Sequence, residues 1–100
     1  MKTYAIYCTD RLETAQARLD ARDAHFTHIE KVLDEILIAG PLVGPDGMTV
    51  GSLLVVKAKD AISARALLER DPYFKADIWA DIRITEFDPA AGEWIGGKIW

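Results

Sequence analysis

The spacing of apolar and polar residues along the chain predicts four strands and two helical regions. Residues 3 to 9 are rich in β-branched and aromatic side chains, as in a strand, and Thr9-Asp10 follows as a helix cap. The positions that then recur three and four apart, which is helical spacing, are Leu12, Ala15, Leu19, Arg22, Phe26, Ile29, Leu33 and Ile36. Because Arg22 interrupts this apolar stripe, we expect a short helix and a longer one, broken or kinked near residues 20–22 and ending around Leu37.

The rest of the chain predicts two strands, a helix and a last strand. The expected elements are an irregular edge strand at 38–43, a turn at 44–47, a central strand at 50–59, a helix at 61–70 and a strand at 79–87. Pro41 cannot donate a ladder hydrogen bond, which favours an edge, whereas the apolar run 53–56 favours the centre of a sheet. Asp60 can cap the helix, and Pro72 requires it to end. Its expected buried residues are Ile62, Ala64, Leu67 and Leu68.

This order of elements is the βαββαβ pattern of ferredoxin-like domains, an α+β class. We therefore expect a single domain over residues 1–100, with a four-stranded antiparallel sheet and both helices on one sheet face. The other face has no helix to cover it, and its apolar strands favour a homodimer that forms through it. The apolar tail, residues 93–100, is expected to dock on the body of the domain or on the partner subunit.

Composition excludes several classes of function. The net charge of −4 argues against non-specific nucleic-acid binding, and Cys8, the only cysteine, permits neither an intramolecular disulfide nor a cysteine-rich zinc site. The sequence shows no signal-peptide core, no stretch long enough to span a membrane and no phosphate-binding glycine loop. We expect a cytoplasmic protein that needs no metal and no cofactor.

His25 is the candidate for chemistry. On a helical wheel it lies about 70° from the centre of the apolar stripe, where a pocket edge would be, and His28 faces water. Spacing alone favours a boundary histidine without a task. The alternative is a general acid or base, because imidazole titrates near neutral pH. Asp71 is then the best carboxylate to orient it, although Asp-Pro is also a common helix stop. Arg22 shares the His25 flank one turn earlier.

Several segments together resemble the YCII-related family of small bacterial proteins. The matching segments are Tyr4-Ala5-Ile6-Tyr7, Arg22-Asp23-Ala24-His25-Phe26, Ala39-Gly40-Pro41-Leu42, Gly51-Ser52 and Asp71-Pro72-Tyr73, in family order. The resemblance implies a ferredoxin-like fold that dimerises as an α/β barrel, similar to muconolactone isomerases and cofactor-free monooxygenases. It also implies an acid–base pair of His25 and Asp71, with Arg22, Ser52 and Tyr73 as substrate-binding neighbours. The chain departs from many relatives at 75–77, which bears on the shape of the pocket.

Two main hypotheses of function follow. The first is a small cofactor-independent enzyme that transfers protons in an elimination or isomerisation of a small organic molecule; the resemblance implies dehydrochlorinase-type chemistry on aromatic substrates. His25 would be the general base, Asp71 would orient it, and Arg22 or Ser52 would stabilise negative charge. The second is a dimeric small-ligand-binding or accessory module that does not catalyse a reaction. A His25 beyond hydrogen-bond reach of any carboxylate would favour the module. A cofactor-free oxygenase is a weaker third hypothesis.

Overall fold

The computed structural model describes residues 1–99 and contains a four-stranded sheet covered by helices on one face. The strands are β1 (Lys2–Asp10), β2 (Ile36–Val43), β3 (Thr49–Ala58), β4 (Trp79–Glu86), β5 (Ala91–Gly92) and β6 (Gly97–Lys98). The helices are α1 (Ala15–Lys31), α2 (Ala61–Glu69) and α3 (Pro72–Lys75), with 3-10 turns at Leu33–Glu35 and Glu93–Ile95. None of the helices in this part of the chain is long and apolar enough to span a membrane.

The sheet has the strand order β2-β3-β1-β4, and every neighbouring pair is antiparallel. This arrangement confirms the ferredoxin-like α+β class. It also confirms that the strand with Pro41 lies at an edge and that the apolar strand β3 lies in the centre. The short helix α3 lies in the connection between α2 and β4.

The core lies between the sheet and the helices, because alternate side chains of each strand point to the helical face. Its buried residues on β1 and β3 are Tyr4, Ile6, Cys8, Leu54, Val56 and Ala58. From α2, Ala64, Leu67 and Leu68 pack against them, as their spacing predicted. The prediction was wrong for Ile62, which is 81% exposed, because it lies in the first turn of the helix on the solvent side.

The first helix is continuous, so the expected break near residues 20–22 was wrong. This stretch contains neither proline nor glycine, and the half-exposed Arg22 side chain can be solvated without any distortion of the backbone. The helix begins at Ala15 instead of Leu12, because the chain turns at Glu13, which has a φ of 61°. It ends at Lys31, and β2 already begins at Ile36, whereas we expected helix as far as Leu37.

The face that α1 turns towards the sheet also differs from the prediction. Phe26 and Leu33, expected to be buried, are 52% and 58% exposed. The core contacts come from small or branched residues, among them Ala17, Ala21 and Val32. His28 is half-buried instead of facing water, and burial lowers the pKa of its imidazole. The core contacts of α1 are thus made by small side chains, and its larger apolar side chains Leu19 and Phe26 stay exposed in the single chain.

The tail forms a β5–β6 hairpin, and residues 91–99 are exposed in the single chain, whereas docking on the body of the domain was one of the two expected placements. Trp94 is 83% exposed, and Ile99 is also exposed. Gly96 and Gly97 have positive φ and turn the segment back on itself, so that Ile99 N–H bonds the Ala90 carbonyl. Docking of the tail on a partner subunit stays a prediction, and residue 100 of the tail lies outside the described residues.

The close approach of β1 and β3 at Gly51 generates a stability prediction. A Cβ atom at Gly51 would collide with the backbone carbonyl oxygen of Cys8, which cannot move without breaking the sheet. We expect Gly51→Ala to lower the free energy of unfolding by about 1–3 kcal/mol, as overpacking does. Gly40→Ala is the matched control, because a Cβ atom there meets nothing within 4 Å. Urea denaturation measures both, and equal stabilities of the two variants would contradict the prediction.

Candidate functional site

A cavity of about 610 Å³ lies beside α1 and takes in residues from β2, β3 and the start of α3. This volume is within the range of small-molecule sites. Much of its wall is apolar, from Leu19, Phe26, Ile29, Met48, Leu54 and Trp79. All five residues that the sequence proposed for the site also line it, namely Arg22, His25, Ser52, Asp71 and Tyr73. The apolar stripe of α1 therefore forms a cavity wall rather than the core face that the spacing predicted.

The structure brings His25 and Asp71 into direct contact. The Nδ1 atom of His25 lies 2.8 Å from Oδ1 and 3.0 Å from Oδ2 of Asp71. An ionised carboxylate only accepts hydrogen bonds, so Nδ1 carries the proton, and in neutral His25 Nε2 is left as an unprotonated nitrogen. Nε2 makes no hydrogen bond to residues 1–99. His25 therefore lines the cavity with one ring nitrogen that has no hydrogen-bond partner among residues 1–99.

Asp71 is held rigidly, because it is the N-cap of α3. Its residue is only 1% exposed, and its Oδ1 accepts a hydrogen bond of 2.9 Å from Tyr73 N–H. The following Pro72 keeps the Asp71 backbone extended and pre-sets the first helical position. The Asp-Pro pair thus ends one helix and starts the next, and the cap that starts α3 also aims the carboxylate at His25.

Tyr73 connects the acid–base pair to the rest of the wall. Its ring stacks on the His25 imidazole, with centroids 3.8 Å apart and planes 7° from parallel. Trp79 meets the same ring edge-on at 6.2 Å. Burial raises the pKa of the Tyr73 hydroxyl, so it stays a neutral O–H group at physiological pH. The indole Nε1–H of Trp79 has no hydrogen-bond partner within residues 1–99.

Arg18 is the residue that sequence reasoning missed. Its Nε and Nη2 atoms donate to the Asp10 carboxylate at 2.7 and 2.9 Å, and Nη2 also lies 3.0 Å from Ser52 Oγ. Asp10 was expected to cap a helix, but α1 has Thr14 at its N-cap, without a side-chain cap bond. Because Asp10 lies on β1 and Arg18 on α1, only the packing of the helix on the sheet brings them together, and no local spacing signals the pair.

Arg22 has a looser environment than the sequence implied. Its side chain is 52% exposed, and its nearest carboxylate is the adjacent Asp23 at 3.9 Å. Within residues 1–99 no hydrogen bond joins it to His25 or Asp71. In the same part of the chain, no cluster of three histidine, cysteine or carboxylate side chains could hold a metal ion. The polar side chains that line the cavity include imidazole, carboxylate, guanidinium and hydroxyl groups.

Comparison with known proteins places the chain in a family. The YCII-related domain model matches residues 2–88, so the chain belongs to the YCII-related family. The chain is 29% identical over 93 residues to Protein YciI of Escherichia coli O6:H1, and 28% identical over 93 residues to an uncharacterised protein of Haemophilus influenzae. Each alignment covers 84% of this chain and 94% of the relative.

A solved structure of similar fold carries a named activity. It is the 5-chloro-2-hydroxyhydroquinone dehydrochlorinase TftG of Burkholderia phenoliruptrix, in complex with 2,5-dihydroxybenzoquinone. The TM-score is 0.79 at 27% sequence identity, and the match covers 91% of this chain and 96% of that one. The ferredoxin-like fold is therefore shared along nearly the whole of both chains.

The buried thiol of Cys8, behind the cavity, provides a prediction about reactivity. Burial raises its pKa to about 12, and the Asp10 and Asp71 carboxylates add to the effect. Since the thiolate is the reactive form, we expect native protein at pH 8 to resist iodoacetamide and to react rapidly once unfolded in urea. Mass spectrometry after timed exposure measures this. Stoichiometric alkylation of the folded protein at the rate of a free thiol would contradict the prediction.

Proposed function

We propose that this YCII-related protein is a cofactor-independent enzyme that transfers a proton on a small, oxygen-bearing ring substrate, with His25 as the general base. The observation that carries the proposal is the 2.8 Å contact between His25 Nδ1 and the buried Asp71 carboxylate. An imidazole that is oriented by a buried carboxylate and open to a cavity on its other nitrogen is suited to proton abstraction. A binding module would not need that pairing, so the contact favours the enzyme.

The two residues have complementary tasks in this proposal. Asp71 holds the tautomer in which Nε2 accepts a proton, and it stabilises the imidazolium that forms. Its own position is set by the α3 cap, so it needs no rearrangement during the reaction. Tyr73 keeps the imidazole ring flat against its own and prevents rotation away from the carboxylate.

Loss of HCl from a chlorinated hydroxylated ring is a reaction that these groups can perform. In the diketo tautomer of such a ring, His25 takes a proton from the CH2 carbon next to the sp3 C–Cl carbon. The electron pair of that C–H bond forms a new ring C=C bond, and chloride leaves with the electrons of the C–Cl bond, which gives a hydroxyquinone. The reaction is balanced without an oxidant or reductant, so it needs no cofactor. The likeness to the dehydrochlorinase supports this choice, because that protein binds a flat dihydroxylated quinone and this cavity has aromatic and apolar walls.

The enzyme is further proposed to be a homodimer that forms through the open face of its sheet. The exposed side chains there surround a shallow concavity lined by Ala5, Tyr7, Thr9, Leu53, Arg83 and Thr85. Tyr7 and Leu53 are apolar and partly exposed at the centre of that face. Burial of such a surface against a second copy would remove apolar area from water and complete an α/β barrel.

Replacement of the base tests the proposed reaction. We expect His25→Gln to lower kcat for chloride release from chlorinated trihydroxybenzenes by about 100-fold or more, which is the usual contribution of a general base. His28→Gln is the matched control, because His28 lies one turn later on α1, is half-buried and does not line the cavity. We expect it to retain turnover. Chloride released into solution is measured with an ion-selective electrode.

A second variant tests the same pair by changing the carboxylate of Asp71. Asp71→Asn keeps an oxygen for the Tyr73 N–H but removes the charge that fixes the His25 tautomer, so we expect it to lose turnover as well. Near-ultraviolet circular dichroism checks that each variant is folded. Full chloride release by folded His25→Gln would refute the role of His25. If the wild type and the variants all fail to release chloride, the proposed substrate class is refuted.

The dimer generates a separate prediction. We expect light scattering to give the wild type twice the mass of one chain, and Leu53→Glu to give a folded monomer, because the charge would be buried at the centre of the interface. Ile62→Glu is the control, since Ile62 is exposed on α2, away from the open sheet face. A dimer that persists in Leu53→Glu would place the interface elsewhere.

A further inference from the structure

The Arg18 guanidinium is fixed by three groups of the protein. Asp10 binds it in a two-point contact, Ser52 Oγ accepts from Nη2 at 3.0 Å, and the Gly51 carbonyl accepts from the same nitrogen at 3.2 Å. The side chains of Arg18 and Asp10 are largely buried, unlike those of the surface ion pairs of this chain. A planar guanidinium held by such a two-point contact has little freedom to rotate.

The contacts with Asp10, Ser52 and Gly51 use only one side of the guanidinium. They engage Nε and Nη2. Nη1, which carries two N–H donors, takes no part in these contacts. Because Arg18 lines the cavity, an oxygen atom bound there can accept a hydrogen bond from Nη1.

Arg18 also keeps its charge in this environment. Burial opposes the charge, but the hydrogen bond and the charge of Asp10, with a smaller contribution from Tyr73, outweigh burial, so that the pKa of the guanidinium lies above its usual value. Its Cζ atom is 5.0 Å from the centroid of the Tyr73 ring, the same ring on which His25 stacks. The cation and the base thus both contact one tyrosine, and a single small ring in the cavity can lie within reach of both.

We infer that Arg18, through Nη1, binds the ring oxygen that becomes negatively charged when His25 removes a proton, with Asp10 and Ser52 as positioning residues. The cavity then selects flat rings that carry an ionised or ionisable hydroxyl group. This inference rests on the proposed function for the role of His25, but the binding of an oxyanion by Arg18 can be measured without turnover. Arg18 thereby takes the role of stabilising negative charge that the sequence predicted for Arg22 or Ser52. The half-exposed side chain of Arg22 is screened by solvent and held by no fixed partner in the cavity.

Two ligands with the same benzoquinone ring test the inference on the wild type. The probes are 2,5-dihydroxybenzoquinone, whose acidic hydroxyl groups give an anion, and 2,5-dimethoxybenzoquinone, whose methyl ethers cannot ionise. Isothermal titration calorimetry gives both dissociation constants. We expect the dihydroxy compound to bind about 10- to 100-fold more tightly, which is the range for a hydrogen bond to a charged group. Equal affinities would overturn the inference.

Two variants then assign the preference to Arg18. Arg18→Lys keeps a charge beside Asp10 but removes Nη1, and Arg18→Gln with Asp10→Asn removes the buried charges together, so that neither is left unpaired. In each, we expect the affinity for the dihydroxy compound to fall about 10-fold or more. The affinity for the dimethoxy compound should stay the same. Retention of the preference in both folded variants would overturn the inference.

Three control variants show whether the lost affinity belongs to Arg18. Arg65→Gln with Glu69→Gln removes an exposed arginine–carboxylate pair of α2 and should leave both affinities unchanged. Arg22→Gln tests the competing arginine, and a larger loss there than in the Arg18 variants would assign the oxyanion to Arg22 and overturn the inference. His25→Gln should keep the preference for the anion even where turnover is lost. Unchanged turnover in His25→Gln would therefore contradict the proposed function, whereas unchanged anion binding in the Arg18 variants would contradict the inference about Arg18.

Discussion

The burial of the Asp71 carboxylate is the constraint on which the site depends. A carboxylate that is 1% exposed is costly unless its oxygens are hydrogen-bonded. Tyr73 N–H and His25 Nδ1 supply those bonds, and they come from two different helices. Satisfaction of Asp71 therefore fixes where α3 begins and which flank of α1 faces inward. The same hydrogen bond that removes an energetic cost also orients a potential base.

A second buried carboxylate, Asp10, places a comparable demand on the other part of the cavity wall. Arg18 meets it with two hydrogen bonds, and the Arg18–Asp10 and His25–Asp71 pairs both contact the Tyr73 ring through their basic residues. Removal of one member of such a pair leaves an uncompensated charge, which costs about 3–5 kcal/mol. Stability and the proposed chemistry are thus linked, because His25 and Arg18 both line the cavity and each pairs with a buried carboxylate side chain.

The sequence was most informative where local chemistry decides the structure. Pro41 indicated an edge strand, and the apolar run of β3 indicated a central one, because backbone hydrogen bonding and burial act directly on those residues. The pairing of His25 with Asp71, which are 46 residues apart, was a hypothesis that began from the Asp-Pro helix stop and that the family resemblance then implied. Arg18 had no such signal. Its partner Asp10 lies on another element, and only tertiary packing determines their contact.

The face of α1 could not be predicted from periodicity, because a cavity wall and a core face have the same apolar pattern. Leu19 and Phe26 are spaced like core residues, but within one chain they remain more than half exposed at the cavity. A flat apolar ring that bound there would cover them and exclude water from the His25–Asp71 and Arg18–Asp10 pairs. Exclusion of water strengthens electrostatic interactions. In the proposed function the apolar stripe of α1 would therefore contribute to the chemistry as well as to binding, because its coverage by substrate would create low-dielectric surroundings for His25 and Arg18.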